Sequence, residues 1–487
     1  MGKASTFTDF YSEYGTALDN REAALFIGAG LSAGAKLKTW PELLRTVATG
    51  LKLNIEKETD LVGLAQFHVN EKRGVRTRLN QLLRDSYGKN VPLTENHRLI
   101  AKLPVETVWT TNYDRLLERA LEEAGKLFDS KVTTGDFSTT ERGREVTIYK
   151  MHGDITQPHE AVLTKEDYEL YNIKREVFTN TLKGDLVNKN FLFLGFSFTD
   201  PNIDYILSRI RVLMGENPRQ HYCMMRWPPK PNSRKKEDQA DYEYEMRRLK
   251  FRTDDLRRYG IEALMVDEYS EITELLEELN KRAFRKHVFV SGSAHDYAPM
   301  TRERVERLAR MIGERTIKEG YSLVSGLGLG VGGAVLIGAM EEVYGNDRAP
   351  LLDRVIVRPF PQLPARSPKR AETYTRYRND VLSTVGYAIF LCGNKEDSDT
   401  KKVVLADGMI EEFEIATALG RYPIPIGATG HAARKIWEEV SAAPNKYFPG
   451  VDVKSQLKVL GDERKTDKQL VDAVFEIIIE TQGGSAS

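Results

Sequence analysis

Two cysteines among 487 residues, Cys223 and Cys392, leave no material for a disulfide framework or a four-cysteine zinc site. Each sits in an apolar, strand-like run, YCMM and IFLCG, and reads as a small buried hydrophobe. No apolar run approaches the ~20 residues that a membrane helix requires. The opening MGKASTFTDFYSEYG lacks the apolar stretch of a secretion signal, so a cytoplasmic protein is expected. Gly2, with Ser5 and Thr6, matches a myristoylation start only in part and is set aside. Charge of one sign is missing too: 71 Lys and Arg balance 71 Asp and Glu, a formal net charge of zero. Bulk attraction to nucleic acid therefore has no support, while a local pocket for a small anion remains open.

Hydrophobic content of 41% with 9% aromatics is that of a globular chain, long enough for two or three domains. Its organising stretch is Ala24 to Ala35, ALFIGAGLSAGA, an apolar strand that breaks into glycines and small residues where a helix should begin. Gly28, Gly30 and Gly34 leave the turn without side-chain bulk, so that backbone N–H groups and a helix N-terminus can approach a pyrophosphate. Alone, such a turn is also a mere tight connection. Ahead of it, residues 5 to 23 place Phe7, Phe10, Tyr11, Tyr14 and Leu18 at helical spacing. Behind it, Thr39 precedes Trp40 and Pro41 as a helix start, and Leu61, Leu64, Phe67, Val69, Leu79, Leu82 and Leu83 are candidate core positions.

Three further strands end in small or polar residues. VETVWTTNYD runs into a helix and leaves Asn112 and Asp114 at the junction, where each is read either as a helix cap or as a ligand-facing group. EVTIYKMHGD leaves His152 beside Gly153, a structural or a chemical histidine. NFLFLGFSFTDPN ends on Gly195 and Ser197, and Asp200 with Pro201 starts a helix. Four strand ends aimed at one sheet edge carry more weight than any single motif. The stretch from Trp227, WPPKPNSRKKEDQ, reads as an exposed loop leading to a charged helix, and EITELLEELNKRAF closes the domain near Phe284.

A second α/β alternation follows. HVFVSGS ends on small residues at Ser291, and GLGLGVGG, with Gly326, Gly328, Gly330, Gly332 and Gly333, marks another backbone-rich phosphate cradle. ARSPKRAETYTRYRND (residues 365–380) is expected as a basic loop. No His or Asn is expected at a strand end here. Arg376, Arg378 and Lys395 would supply fixed positive charge, and Glu412 would accept from ribose hydroxyls, unless these charges are only solvated surface. The fold class is therefore α/β, with two Rossmann-like domains, each a mainly parallel sheet flanked by helices, divided as 1–283 and 284–487.

GAGLS, TTNYD, KMHGD and LGFS, in this order, resemble the NAD-binding and catalytic motifs of the sirtuins, in particular the bacterial sirtuin-like NAD hydrolases. The resemblance implies that Gly28, Ala29, Gly30 and Ser32 surround the NAD phosphates and that Gly195 and Ser197 also bind NAD. It implies further that Asn112 and Asp114 face the nicotinamide ribose and that His152 is the catalytic histidine. Lys36 to Trp40 replaces the Asp-Phe-Arg stretch of deacylating sirtuins and the zinc module is missing, so the resemblance extends to NAD cleavage and not to protein deacylation. Residues 287 to 482 resemble the SLOG family of nucleotide-sensing domains, which implies an activator site at Ser291, Gly328, Gly330, Arg378, Lys395 and Glu412. The two halves together resemble the NAD-cleaving effectors of Thoeris anti-phage defence. That resemblance implies a homotetramer switched on by a cyclic ADP-ribose isomer from a TIR-domain partner protein.

Chemically, cleavage of the nicotinamide–ribose bond needs no metal and no cofactor beyond NAD as substrate, because nicotinamide is already a cationic leaving group. The protein must stabilise an oxocarbenium-like ribose, orient a water and take its proton. Asn112 is assigned to orienting ribose or water, His152 to the general base, and Asp114 to stabilising the cation or orienting Asn112. Two other classes stay open: a catalytically inactive nucleotide-binding signalling module, and an ADP-ribosyl transferase that uses an acceptor in place of water.

Overall fold

The computed structural model describes residues 3–198, 200–215, 219–232, 235–345, 354–364, 367–397 and 400–483. Gly2 and the first two residues of the expected basic loop, Ala365 and Arg366, lie outside them. The chain divides into two units between Asn280 and Lys281.

At the centre of the N-terminal unit is β1 (Ala23–Ile27), buried along its whole length. Around it lie β2 (Thr107–Thr110), β3 (Phe128–Lys131), β4 (Val146–Lys150), β5 (Asn190–Leu194), β6 (His221–Arg226) and β7 (Ile261–Val266), all parallel, in the order β3-β4-β2-β1-β5-β6-β7. Strands covered by helices on both faces must be apolar throughout, which is why β1 and β5 read as uninterrupted hydrophobic runs. The opening helix Lys3–Asp19 buries Phe10 and Tyr14, and the Tyr14 hydroxyl donates to Ala24 O (2.9 Å). Trp109 of β2 stacks on Tyr149 of β4 with ring centroids 4.2 Å apart, and its Nε1 donates to Asp185 Oδ2 (2.8 Å).

From β1 the chain departs toward β2, whereas from β5 it departs the other way toward β6, so the connections diverge at the β1–β5 gap. In an open parallel sheet such a switch point leaves a crevice at the carboxyl ends of the strands.

Three details correct the reading of the sequence. The helix after the glycine-rich turn is only one turn, Ala29–Ser32, followed by a 3-10 turn at Ala33–Ala35. A full helix begins at Trp40, where the Thr39 N–H donates to the Glu42 carboxylate (2.8 Å). Leu64, Val69, Leu79, Leu82 and Leu83 are buried as expected, but Phe67 is 52% exposed. Trp227 and Pro228, read as exposed loop, are half-buried and wall a cleft, while Pro229 beside them is exposed.

In the C-terminal unit β8 (His287–Ser293), β9 (Ser322–Ser325), β10 (Val355–Val357), β11 (Tyr387–Cys392) and a last strand, Tyr422–Pro425, form a second parallel sheet. Between the fourth and fifth, β12 (Asn394–Glu396) and β13 (Val403–Leu405) make an antiparallel ribbon, so the last strand is β14 and the sheet order is β10-β9-β8-β11-β14. Here the connections diverge between β8 and β11.

The expected basic loop is instead a helix, Arg370–Leu382. No glycine or proline interrupts this stretch, and Val381 and Leu382 anchor its end in the core. Both cysteines are buried as read, one per unit, and burial pushes each thiol up to about 12. Among the described residues no helix is long and apolar enough to cross a membrane.

Candidate active site

Over the carboxyl ends of the N-terminal strands opens a cleft of about 1380 Å³. Ala29, Gly30, Ser32, Asn112, Asp114, His152, Gly195 and Ser197 all line it; Gly28 does not.

The glycines also make a close backbone contact of their own. Gly28 N–H donates to Leu194 O (2.9 Å), Gly30 N–H to Gly195 O (2.9 Å), and Leu31 N–H to Gly28 O (3.1 Å). Gly195 has φ +63°, and a Cβ there would run into the Leu31 backbone nitrogen. The turns after β1 and β5 are thus locked backbone to backbone across the switch point. Gly34 has no such neighbour; a Cβ there would meet only Thr94 Cγ2 at 3.4 Å.

Asn112 hangs from this lock. Its N–H donates to Thr110 Oγ1 (3.0 Å), which itself donates to Ile27 O (2.9 Å), and its Nδ2 donates to Gly28 O and to Ser32 Oγ, each at 3.2 Å. Both Asp114 oxygens are committed: Oδ2 accepts from Ser32 Oγ (2.9 Å) and Oδ1 from the Leu116 N–H (3.0 Å) at the start of the next helix. Asp114 is therefore cap and tether at once. Asn112 Oδ1 is buried with no hydrogen-bond partner among the described residues.

His152 is buried against the edges of Tyr168 and Tyr171. Burial holds its pKa below the ordinary 6.5, opposed by the charge of Asp200. Its Nε2 is 3.3 Å from Asp200 Oδ2 but off the hydrogen-bonding direction, and has no hydrogen-bond partner among the described residues. Asp200 Oδ1 caps the helix Pro201–Met214 through the N–H groups of Asn202 (2.9 Å) and Ile203 (3.3 Å). Its other oxygen accepts from Tyr168 Oη (3.2 Å).

Two groups here escaped sequence reading. Asp200 was legible only as a helix cap; nothing local placed it beside a histidine 48 positions earlier. Lys150, at the end of β4, is buried and donates to Asp114 O (2.6 Å), Glu118 Oε1 (2.9 Å) and Asp154 Oδ2, tying the Asn112 loop to the His152 loop. A lysine in the apolar run VTIYKM is the one signal that could have found it.

The expected activator residues of the C-terminal unit assemble in part. Ser291 Oγ donates to Glu412 Oε2 (2.5 Å), and Arg378 Nη1 donates to Glu411 Oε2 (2.6 Å) while its Nε lies 3.7 Å from Glu412 Oε1. Burial raises the Glu412 carboxyl to about 7, against the Ser291 hydrogen bond and the Arg378 charge. Arg378 is thus already held between carboxylates, with its guanidinium 5.0 Å from the Phe360 ring centroid.

Gly328 and Gly330 repeat the lock of the other unit: a Cβ on Gly328 would strike Gly292 O, and one on Gly330 would sit 2.6 Å from Ala294 O. Lys395 stands apart on the ribbon, half exposed and donating to Asp407 Oδ2 (2.9 Å). The Arg376 side chain is 80% exposed, the solvated-surface alternative.

One expectation fails: an asparagine does end a central strand here. Asn394, just after β11, is buried; its Oδ1 accepts from the N–H groups of His295 (2.9 Å) and Asp296 (2.8 Å), and its Nδ2 donates to Asp296 O (2.7 Å). The segment GYAIFLCGNK carried this residue in plain view, but its partners lie about 100 positions upstream.

Among known proteins, residues 106–249 match the SIR2-like domain and residues 271–481 the Sir2- and TIR-associating SLOG family. The chain is 41% identical over 471 residues to the NAD(+) hydrolase ThsA of Bacillus cereus (strain MSX-D12), covering 96% of this chain and 97% of that one. The NAD(+) hydrolase ThsA of Acinetobacter baumannii (strain 532279) is 42% identical over 467 residues, 95% and 96% of the two chains.

The chain belongs to the ThsA family of NAD(+) hydrolases. A more distant relative, the defense-associated sirtuin 2 of Bacillus subtilis, is 24% identical over 205 residues, 41% of this chain and 20% of that one. The SIR2-like match begins at residue 106, beyond the first glycine-rich turn. Within this ThsA-family chain the turn joins the site through its hydrogen bonds to Leu194 and Gly195 and through Asn112.

Proposed function

We propose that the N-terminal cleft hydrolyses NAD to nicotinamide and ADP-ribose. The observation that supports this reading is a pair of buried, unpartnered polar atoms on one cleft, Asn112 Oδ1 and His152 Nε2. Buried polar atoms are nearly always paired, so two left open mark where a substrate completes the set.

A histidine held neutral by burial is a base at neutral pH, and its open Nε2 takes the proton of the attacking water. Asn112, fixed through Nδ2 to Gly28 and Ser32, presents its carbonyl oxygen to the ribose hydroxyls or to that water. As the C–N bond breaks, neutral nicotinamide leaves and positive charge grows on the ribose. Asp200, 3.3 Å from His152 Nε2, then faces the imidazolium that forms.

In the C-terminal unit we assign Ser291, Arg378 and Glu412, over the Gly328–Gly330 turn, to an activating cyclic ADP-ribose isomer. The ligand's phosphates would take Arg378 from Glu411, and its ribose hydroxyls would meet Glu412. The TIR-associating SLOG family in which this half falls supports a TIR-domain protein as its source. A homotetramer acting in the cytoplasm and depleting NAD during anti-phage defence completes the proposal.

The test is incubation of the full chain with NAD, with and without cyclic ADP-ribose isomers, followed by chromatography. Nicotinamide and ADP-ribose in equal amounts, rising with the isomer, are expected. Modified protein in place of free ADP-ribose would make it a transferase, and intact NAD a binding module. Arg378→Ala should abolish the response while basal nicotinamide release persists; a retained response removes Arg378 from the site.

A further inference from the structure

Strand pairing brings Asn112 and His152 to one cleft. Thr110 of β2 and Lys150 of β4 are register partners, and each of the two residues lies two positions beyond its own strand's member of that pair. Register sets where the loops begin, and not how far apart their tips stay. Main-chain bonds bracket His152, from the Met151 N–H to Thr110 O (3.0 Å) and from the Ile155 N–H to Tyr113 O (3.1 Å). Between them the chain reverses at Gly153, whose φ is +87°.

Lys150 grips both loops inside that bracket. An ammonium carries three N–H donors, and here each meets a different segment. One goes to Asp114 O (2.6 Å) on the Asn112 loop, one to Glu118 Oε1 (2.9 Å) on the helix Leu116–Glu123, and one to Asp154 Oδ2 on the His152 loop. The acceptors are themselves fixed. Asp154 Oδ1 accepts from the Thr156 N–H (2.7 Å), while Asp114 Oδ2 holds Ser32 Oγ, which accepts in turn from Asn112 Nδ2. Lys150, Glu118 and Asp154 are all buried, and none of them lines the cleft. A buried lysine between two carboxylates is a poor source of stability, since apolar side chains of like volume often do as well or better. What a fully engaged ammonium supplies is a single rigid arrangement.

We propose that Lys150 is a positioning residue of this site, holding the Asn112 carbonyl and the His152 imidazole at the separation that NAD cleavage requires. It touches no substrate and acts through the two loops. The assignment rests on the reading of the cleft as that of an NAD hydrolase.

The experiment compares the native full chain with Lys150→Met and with the triple variant Lys150→Met/Glu118→Leu/Asp154→Asn. Thermal melting, steady-state nicotinamide release and NMR titration of histidine-labelled protein are followed for each, with the His152 signal assigned by its loss in His152→Gln. Lys150→Met strands two buried carboxylates, so it should melt early. The triple variant removes the stranded charges, leaves an acceptor for the Thr156 N–H and should melt close to the native chain. In both, kcat should fall about 10- to 100-fold while KM for NAD stays within about threefold. In both, the His152 pKa, held below 6.5 by burial, should climb toward that value as water reaches the loosened loop. The triple variant loses more negative than positive charge, which alone would lower that pKa, so a rise there reports displacement.

Native kcat in Lys150→Met, a triple variant that regains native kcat along with its stability, or one that does not fold overturns the assignment and leaves Lys150 a strut of the scaffold. A rise in KM at constant kcat does the same. If the native chain releases no nicotinamide, the hydrolase reading falls and the His152 titration decides alone. A shift in both variants then upholds Lys150 as the residue that places His152, and an unmoved His152 overturns it.

Discussion

Asn112 and Asn394 are buried asparagines just beyond the carboxyl ends of central parallel strands, one in each unit, and they do opposite things. Asn394 spends both ends of its amide on the loop after β8, so it is a staple. Asn112 spends only its nitrogen and keeps Oδ1 buried and unpaired. Residue type and position are the same; unspent hydrogen-bonding capacity separates chemistry from scaffolding. The surroundings differ in the same sense. The N-terminal site holds a neutral imidazole, whereas the C-terminal one holds Arg378 among carboxylates, a set suited to recognising charge and not to moving a proton.

The strongest way to break this contrast is Asn112→Ala or His152→Ala, expected to lower nicotinamide release by about 10²- to 10⁴-fold with an unchanged melting curve. Wild-type turnover in either variant would return these residues to the scaffold. Asn394→Ala should do the reverse. It removes three hydrogen bonds at a part-buried loop, so denaturant unfolding of the C-terminal unit should lose about 1–3 kcal/mol while basal NAD cleavage is kept.

The units should also part company as pH changes. His97 is lowered to about 4 and His221 to about 3, both by burial, so between those values and the ordinary 6.5 the unfolded N-terminal unit binds protons that the folded one refuses. Its stability is full above about pH 6.5 and falls with acidification. Glu412, raised to about 7, works the other way: folded, it keeps a proton that the unfolded chain releases above about 4.5. The stability it contributes is present in acid and is lost as pH rises through 7. Hydrogen exchange followed separately in the two units from neutral pH to about pH 5 should show the first loosening as the second tightens; parallel shifts would refute the assignment.

The smallest effect is expected at Gly34. With only an ordinary contact to Thr94 Cγ2 and no positive φ, Gly34→Ala should change stability by less than about 1 kcal/mol, whereas Gly195→Ala should cost several times that by calorimetry.

Much of this was legible because strands of a covered parallel sheet announce themselves as apolar runs, and their ends as small or polar residues. That logic found β1, β2, β4 and β5 and the cluster at their tips. It did not see the backbone contact between the turns after β1 and β5, because a bare turn looks the same whether a phosphate or a neighbouring backbone fills it. It could not see Asp200 beside His152, Lys150 beneath both loops, or Asn394 across from His295, since each pairing joins positions far apart in sequence through the order of strands. The 370–382 helix was hidden by its charge: most of its residues are exposed or half-buried, and of its buried residues only Val381 and Leu382, at its end, are apolar.

The two thiols have a practical consequence. With each pushed up to about 12 and enclosed in its own sheet, almost no thiolate exists at neutral pH, so alkylating labels should pass both by. The native chain is in effect a blank. One cysteine introduced at the rim of either sheet would be its sole reactive handle, and a fluorophore there would report on that unit alone without any native residue having to be removed.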